Sequence, residues 1–344
     1  MKRYWRLLVP VALIAVAVVL VVWRGPDWRV VHDAFSAVTW EWVAAAIGLN
    51  FLSVVVRALS WDTTVKQSLP PPPPRFRYVF SAFCVGLFAN AVLPGRVGEL
   101  ARVAVLRRRV TGPKGTTATL IGSVFAHRMF DLFPAVTLVI WVLLTAKIPQ
   151  WAMTSIGIAL VLGLILFLAA VVLGRRQWHV REEYNPVRRF LVRARQGLAI
   201  MRSPLAALTA GTFQFAGWIC QLFAVWAAME AFNIHLPLSA AGLVLVLMNV
   251  ATIFPLWPGN FGLVQIAVAL PLVNYGVAYG HGVAFGIGLQ AIEASVGVGL
   301  GLVYLAREGL SYATLRDMDE DPAEANGSEE PSEERSTARA GVAG

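Results

Sequence analysis

The sequence predicts an all-α polytopic membrane protein with about six full spans plus two re-entrant helical hairpins arranged as an inverted repeat. Three observations carry that prediction. Apolar residues make up 57% of the 344-residue chain and charged residues only 14%, where a soluble domain carries about 25% charge. Apolar stretches long enough to cross a bilayer alternate with shorter ones interrupted by proline and glycine. The same interruption, Pro-Gly-x-x-Gly, occurs at Pro94-Gly95-Arg96-Val97-Gly98 and again at Pro258-Gly259-Asn260-Phe261-Gly262.

The segments follow in order. Lys2, Arg3 and Arg6 precede an apolar run at 7–23, and Arg24-Gly25-Pro26-Asp27 follows it. With no small-residue cleavage site, this reads as an uncleaved first span with a cytoplasmic N-terminus. A second span at 42–59 returns inward and carries Asn50 and Arg57. Snorkelling to the interface and a role in a substrate pathway both fit Arg57. Residues 61–77 read as a cytoplasmic loop with a stiff run of five prolines, Pro70 to Pro74. The apolar segment 78–93 is short for a span, and basic residues lie on both sides of it. A full crossing would put one basic loop outside, against the positive-inside bias. A hairpin entering from the cytoplasm and turning at Pro94, Gly95 and Gly98 resolves the conflict. Non-helical backbone at that depth must be buried in protein or line a wet cavity, so the turn itself predicts a cavity.

A third span, 118–146, holds His127, Arg128 and Asp131, the last two spaced i,i+3 for pairing on one face. A fourth, 152–173, leads into the stretch 174–204 with its eight arginines, which reads as cytoplasmic and facing anionic headgroups. A fifth, 205–232, carries Gln214, Trp218 and Gln221. The segment 240–254, the turn around Pro258, Gly259 and Gly262, and 263–275 form a second hairpin. No charge lies between Ser239 and Gly280, which points to entry from outside. The last span, 281–305, carries Gln290 and Glu293. The expected domains are therefore 1–39, an N-terminal span and outer loop; 40–306, the membrane domain, with repeats at 40–146 and 204–305; and 307–344, a disordered cytoplasmic tail with ten acidic and four basic residues.

Charge and motif inventories exclude several functions. The net charge is +9, and +15 without the acidic tail, but it lies in short loops. There is no soluble basic face for nucleic acid. Cys84 and Cys220 sit apart in apolar runs and read as small buried residues. Neither CxxC nor HExxH occurs, and His32, His127, His179, His235 and His281 form no ligand spacing, so no metal, cofactor or catalytic site is predicted. The repeat argument is stronger than either turn alone. Each turn follows a span with polar residues and precedes an i,i+3 polar pair, Arg128/Asp131 or Gln290/Glu293. The offset from Gly98 to Arg128 is 30 residues and from Gly262 to Gln290 is 28. Broken segments at corresponding places of an inverted repeat point to a binding site near the midplane.

These residues resemble the lysylphosphatidylglycerol synthase transmembrane-region, or flippase-like, family. Its N-x-x-LP-x-R-x-GE-x-x-R-like motif is met by Asn90, Leu93, Pro94, Arg96, Gly98, Glu99 and Arg102. Its ER-x-x-D-like pattern is met by Arg128 and Asp131, with His127 at the acidic position. Its PGG-x-G-x-x-E-like motif is met by Pro258, Gly259 and Gly262, with Asn260 for a glycine and Gln265 for the glutamate. The resemblance covers roughly residues 40–305 and implies movement of a lipid with a charged headgroup between leaflets, without a synthase domain. The expected substrate-binding residues are Arg96, Glu99, Arg102, Arg128, Asp131, Asn90, Gln265, Glu293 and Arg57. Arg96, Arg102 and Arg128 would fork onto an anionic headgroup, the helix after Gly98 would present free N–H groups, and Glu99 and Asp131 would hold the arginines between turnovers. The expected protein is a transporter in a bacterial or archaeal cell membrane, with both termini cytoplasmic. Two other readings remain: a scaffold docking a lipid- or glycan-modifying enzyme, and a lipid-modifying enzyme using Glu99, His127, Asp131 and Glu293.

Overall fold

A computed structural model describes residues 27–93, 97–110, 116–147, 198–253 and 258–308, with short pieces between 153 and 168. The expected first span at 7–23, the turn residues Pro94, Gly95 and Arg96, most of the expected fourth span, the basic stretch to 197 and the tail from 309 lie outside the described residues.

Every regular element among the described residues is helical. Four long apolar helices are long enough to cross a membrane: α2 (Trp40–Ser68), α5 (Thr116–Thr145), α6 (Pro204–Ala231) and α9 (Tyr279–Arg307). At 28 to 30 residues each they measure roughly 42–45 Å, against a hydrocarbon core of about 30 Å. Four shorter helices make two pairs, α3 (Phe76–Val92) with α4 (Gly98–Arg107) and α7 (Leu238–Ala251) with α8 (Leu263–Val273). None of the four reaches the core thickness: the longest, α3 at 17 residues, measures about 26 Å. A peripheral helix, α1 (Trp28–Ser36), starts at Asp27, whose carboxylate accepts the Arg29 N–H at 3.0 Å. It turns Val31 and Ala34 inward and leaves Trp28 and Phe35 exposed.

One expectation is corrected. Residues 61–68 are not loop but the last turns of α2. Ala58, Trp61 and Val65, at i, i+3 and i+7, are fully buried on one face. The Trp61 indole N–H donates to Ser123 Oγ at 3.3 Å and Ser60 Oγ donates to the Ala210 carbonyl at 2.9 Å. Asp62 and Lys66, which look like loop charges, form an i,i+4 pair at 2.6 Å. The helix stops at Ser68 because Pro70 forbids helical backbone at Leu69.

Packing follows a regular scheme. The most extensive helix pair is α2 with α6. Each short pair packs internally, α3 on α4 and α7 on α8. The long helices then cross over: α9 packs on α3 as well as α8, and α5 packs on α7 as well as α4. Two main clusters of buried side chains result. One gathers Trp61, Phe88, Leu106 and Leu120 around α3 and α4. The other gathers Met229, Leu245, Leu272 and Phe285 around α7 and α8. Large apolar residues such as Phe133, Leu144, Leu205 and Leu208 face outward, which suits contact with lipid tails.

Candidate functional site

The first hairpin is closed by backbone contact. A Cβ on Gly98 would strike the Gly86 carbonyl oxygen and the Asn90 side chain. Only glycine lets the start of α4 approach α3 this closely. Asn90 Oδ1 then accepts the Gly98 N–H at 2.9 Å, capping α4 from the facing helix and committing one of its free N–H groups. The asparagine and glycine of the first motif thus act on each other across the turn.

Beyond Gly98, one chain of polar contacts runs through five helices. Glu99 pairs with Arg102 on its own helix and with Arg128 on α5. Arg128 Nη1 donates to Asp131 Oδ2 at 3.1 Å, the i,i+3 pair expected from the sequence. Asp131 Oδ1 accepts from Arg57 Nη2 of α2 at 3.0 Å, from the Trp218 indole of α6 at 2.9 Å, and from Gln214. Arg57 Nη1 donates to Gln221 Oε1 at 3.2 Å, and Gln221 Nε2 donates to Glu293 Oε1 of α9 at 3.3 Å. An isolated charge among these helices would cost several kcal/mol. Pairing offsets that cost only where hydrogen bonds answer most of the remaining polar atoms.

Arg102 stands apart within this chain. Its guanidinium lies over Trp61 at 4.8 Å and Phe83 at 5.7 Å, and the residue is 3% exposed. Aromatic faces there hold the cation behind Glu99. His127 is also fully buried, edge-on to Phe83 at 6.0 Å.

The second hairpin is fastened without charge. Gln265 Oε1 accepts the Gly262 N–H at 2.5 Å, and its Nε2 donates to Gln290 Oε1 of α9 at 2.5 Å. Gln290 Nε2 donates to the Gly259 carbonyl oxygen. Gly259, Asn260 and Gly262 have φ of 68°, 45° and 92°, the left-handed region where asparagine is the best-tolerated substitute for glycine. The Asn260 amide also donates to the Ala251 carbonyl at 3.2 Å, which ties the turn to the end of α7. The departures at 260 and 265 are therefore accommodated locally.

Between the hairpins lies a chamber of about 710 Å³, within the range of small-molecule sites. Arg57, Arg128, Asp131, Trp218, Gln221 and Glu293 border it on one side, and Asn50, Asn90, Asn249, Asn260 and Gln290 on others. The Arg128 side chain is 46% exposed there. A smaller cavity of about 70 Å³ sits behind, bounded by Glu99, Arg102 and His127.

Of the expected site residues, Arg57, Glu99, Arg102, Arg128, Asp131 and Glu293 come together in one chain of contacts. Asn90 lies at the chamber wall as a helix cap. Gln265 fastens the second turn rather than joining the ion chain, and Arg96 lies outside the described residues. Gln214, Trp218 and Gln221 belong to the site as well. Their spacing, i, i+4 and i+7 on an otherwise apolar helix, is a polar stripe that marks them in the sequence. Trp61 carries no such signal. Among the described residues, no group of three His, Cys, Asp or Glu side chains is placed to hold a metal.

Long apolar helices around a chamber bordered by charged side chains are those of a multi-pass helical membrane protein. The chain belongs to the family described as the lysylphosphatidylglycerol synthase TM region, which matches residues 7–301. It is 22% identical over 298 residues to a UPF0104 membrane protein of Methanothermobacter thermautotrophicus, covering 80% of this chain and 85% of the relative. It is 22% identical over 188 residues to a UPF0104 membrane protein of Methanocaldococcus jannaschii, covering 53% of this chain and 77% of the relative. No solved structure matches it.

Proposed function

We propose that the protein carries a lipid with an anionic headgroup from one leaflet to the other, the headgroup crossing through the chamber while the tails stay in lipid. The observation that carries this reading is the chamber itself. A volume of about 710 Å³ with Arg57, Arg128 and Asp131 in an otherwise largely apolar wall, inside a bundle whose outer face is apolar, suits a charged head on a greasy tail. Family membership supports the same reading.

An inverted repeat would supply the alternating access. The packed helix pairs support it. Exchanging α2, α3, α4 and α5 for α6, α7, α8 and α9 turns α3–α9 contact into α7–α5 contact, α4–α5 into α8–α9, and α2–α5 into α6–α9. All of these pairs are packed, and the α2–α6 pair maps onto itself. In this reading the two units rock about α2 and α6 and open the chamber to each leaflet in turn. Each short helix pair is a re-entrant hairpin, and both termini lie in the cytoplasm.

The test is reconstitution into vesicles with a fluorescent anionic lipid, followed by quenching of the outer leaflet. Arg128→Ala is expected to slow exchange at least tenfold, about 1.4 kcal/mol in barrier height. Asp131 keeps Arg57 and Glu99 keeps Arg102 in that variant, so the bundle stays folded. Exchange at the unaltered rate would overturn the reading.

A further inference from the structure

The chamber wall carries a polar side chain that the ion chain leaves untouched. Asn50, on α2, is 8% exposed, faces the chamber, and has no hydrogen-bond partner among the described residues. Its amide atoms are not sealed off within the protein but open onto the chamber, where a ligand can reach both the donors and the acceptor. Asn50 precedes Arg57 by seven residues, so the two share a face of α2 roughly 10 Å apart along its axis.

Other free groups around the chamber have the same character. Asn249 on α7 donates through Nδ2 to the Leu245 carbonyl at 2.8 Å, which leaves Oδ1 without a partner among the described residues. Glu293 accepts from Gln221 through Oε1, and Oε2 is likewise free. The arginines, by contrast, are largely committed to Asp131, Glu99 and Gln221. What the chamber offers a ligand thus includes one edge of the Arg57/Arg128 pair, one complete amide at Asn50, the Asn90 Nδ2, one amide oxygen and one carboxylate oxygen.

These groups select between headgroups. A phosphate only accepts hydrogen bonds, so by itself it leaves Asn249 Oδ1 and Glu293 Oε2 unanswered. An ammonium group only donates, so it satisfies those oxygens but not the Asn50 NH2. A hydroxyl does both. Several hydroxyls next to one phosphate answer the Asn50, Asn249 and Glu293 groups together, with the phosphate and the hydroxyls separated along α2 as Arg57 and Asn50 are.

We propose that the chamber recognises a glycosyl phosphate, its phosphate beside Arg57 and Arg128 and its hydroxyls on Asn50, Asn249 and Glu293. The lipid-exchange reading supplies the expected source, a sugar phosphate on a polyprenyl tail; a free hexose phosphate has the same recognition chemistry. The test measures binding to the full chain in nanodiscs with three probes: a polyprenyl phosphohexose, the bare polyprenyl phosphate, and hexose 1-phosphate. The phosphohexose lipid is expected to bind at least tenfold tighter than the bare lipid. Asn50→Leu and Asn249→Leu, which keep the branching and the number of side-chain heavy atoms but remove the hydrogen bonds, are each expected to reduce that ratio to threefold or less.

Equal affinity of the unaltered protein for the two lipids overturns the proposal, whatever the variants do, and leaves lipid exchange standing. A ratio retained in both variants overturns it as well. Binding of hexose 1-phosphate alone, lost in Asn50→Leu, supports the site and overturns the lipid source. Failure of all three probes to bind overturns the glycosyl-phosphate proposal and leaves lipid exchange to its own vesicle test.

Discussion

Glu99 in the first hairpin and Gln265 in the second both stand in the first turn of the returning helix, and each ties it to a long helix about 30 residues downstream of the turn. Glu99 does so through Arg128, with Arg102 behind it. Gln265 does so through Gln290, which reaches back to the Gly259 carbonyl. The second arrangement has no charge at all. Neutral amides therefore suffice to fasten a broken helix inside this bundle, and the ions of the first hairpin exceed what fastening requires. Those ions lead by direct contact to Arg128, Asp131 and Arg57 at the chamber wall. The two hairpins thus fasten their returning helices by different means, one with amides alone and one with ions that continue to the chamber wall.

Breaking the charged side should have the largest effect. Asp131→Ala leaves Arg57 and Arg128 short of a counter-ion and strips Gln214 and Trp218 of their acceptor. A loss of about 3–5 kcal/mol is expected, read as a fall in the thermal transition of the purified protein. A transition within a degree of the unaltered one would show that the ions contribute nothing to the bundle.

Breaking the neutral side should cost less and leave exchange intact. Gln265→Ala removes the hydrogen bonds to Gly262 and Gln290, for an expected loss of roughly 1–2 kcal/mol. Leaflet exchange per folded molecule should stay within twofold. A tenfold fall, equal to that expected of Arg128→Ala, would erase the distinction between the hairpins. The smallest effect is expected at Asn260→Gly. Glycine adopts the left-handed backbone freely, while the bond to Ala251 is lost, so stability should change by less than about 1 kcal/mol. A larger loss would mean that the Asn260 side chain, rather than its backbone angle, holds the turn.

Much of this design is local and was readable from the residues in order. The lengths of α5, α6 and α9 follow from apolar runs, and the breaks at Gly98 and Gly259 follow from proline and glycine chemistry. Arg128 and Asp131 pair because i,i+3 places them on one helix face. The extent of α2 was not readable in this way. Asp62 and Lys66 look like loop charges until the burial of Trp61 and Val65 shows that the helix continues and the two charges pair across one turn.

By itself the sequence determined which segments are apolar enough to be membrane helices, where they break, and that charge collects near the first break. Tertiary packing alone decided which polar groups meet across helices. Arg57 reaches Asp131 across 74 residues of chain, Trp218 and Gln214 reach it across 87 and 83, and Trp61 covers Arg102 from another helix. The physical reason is that helical periodicity fixes only neighbours three or four positions apart on one helix. Partners on different helices are fixed by how the helices pack, here by the α2–α6 pair and by glycines at Gly86 and Gly98 that let backbones touch.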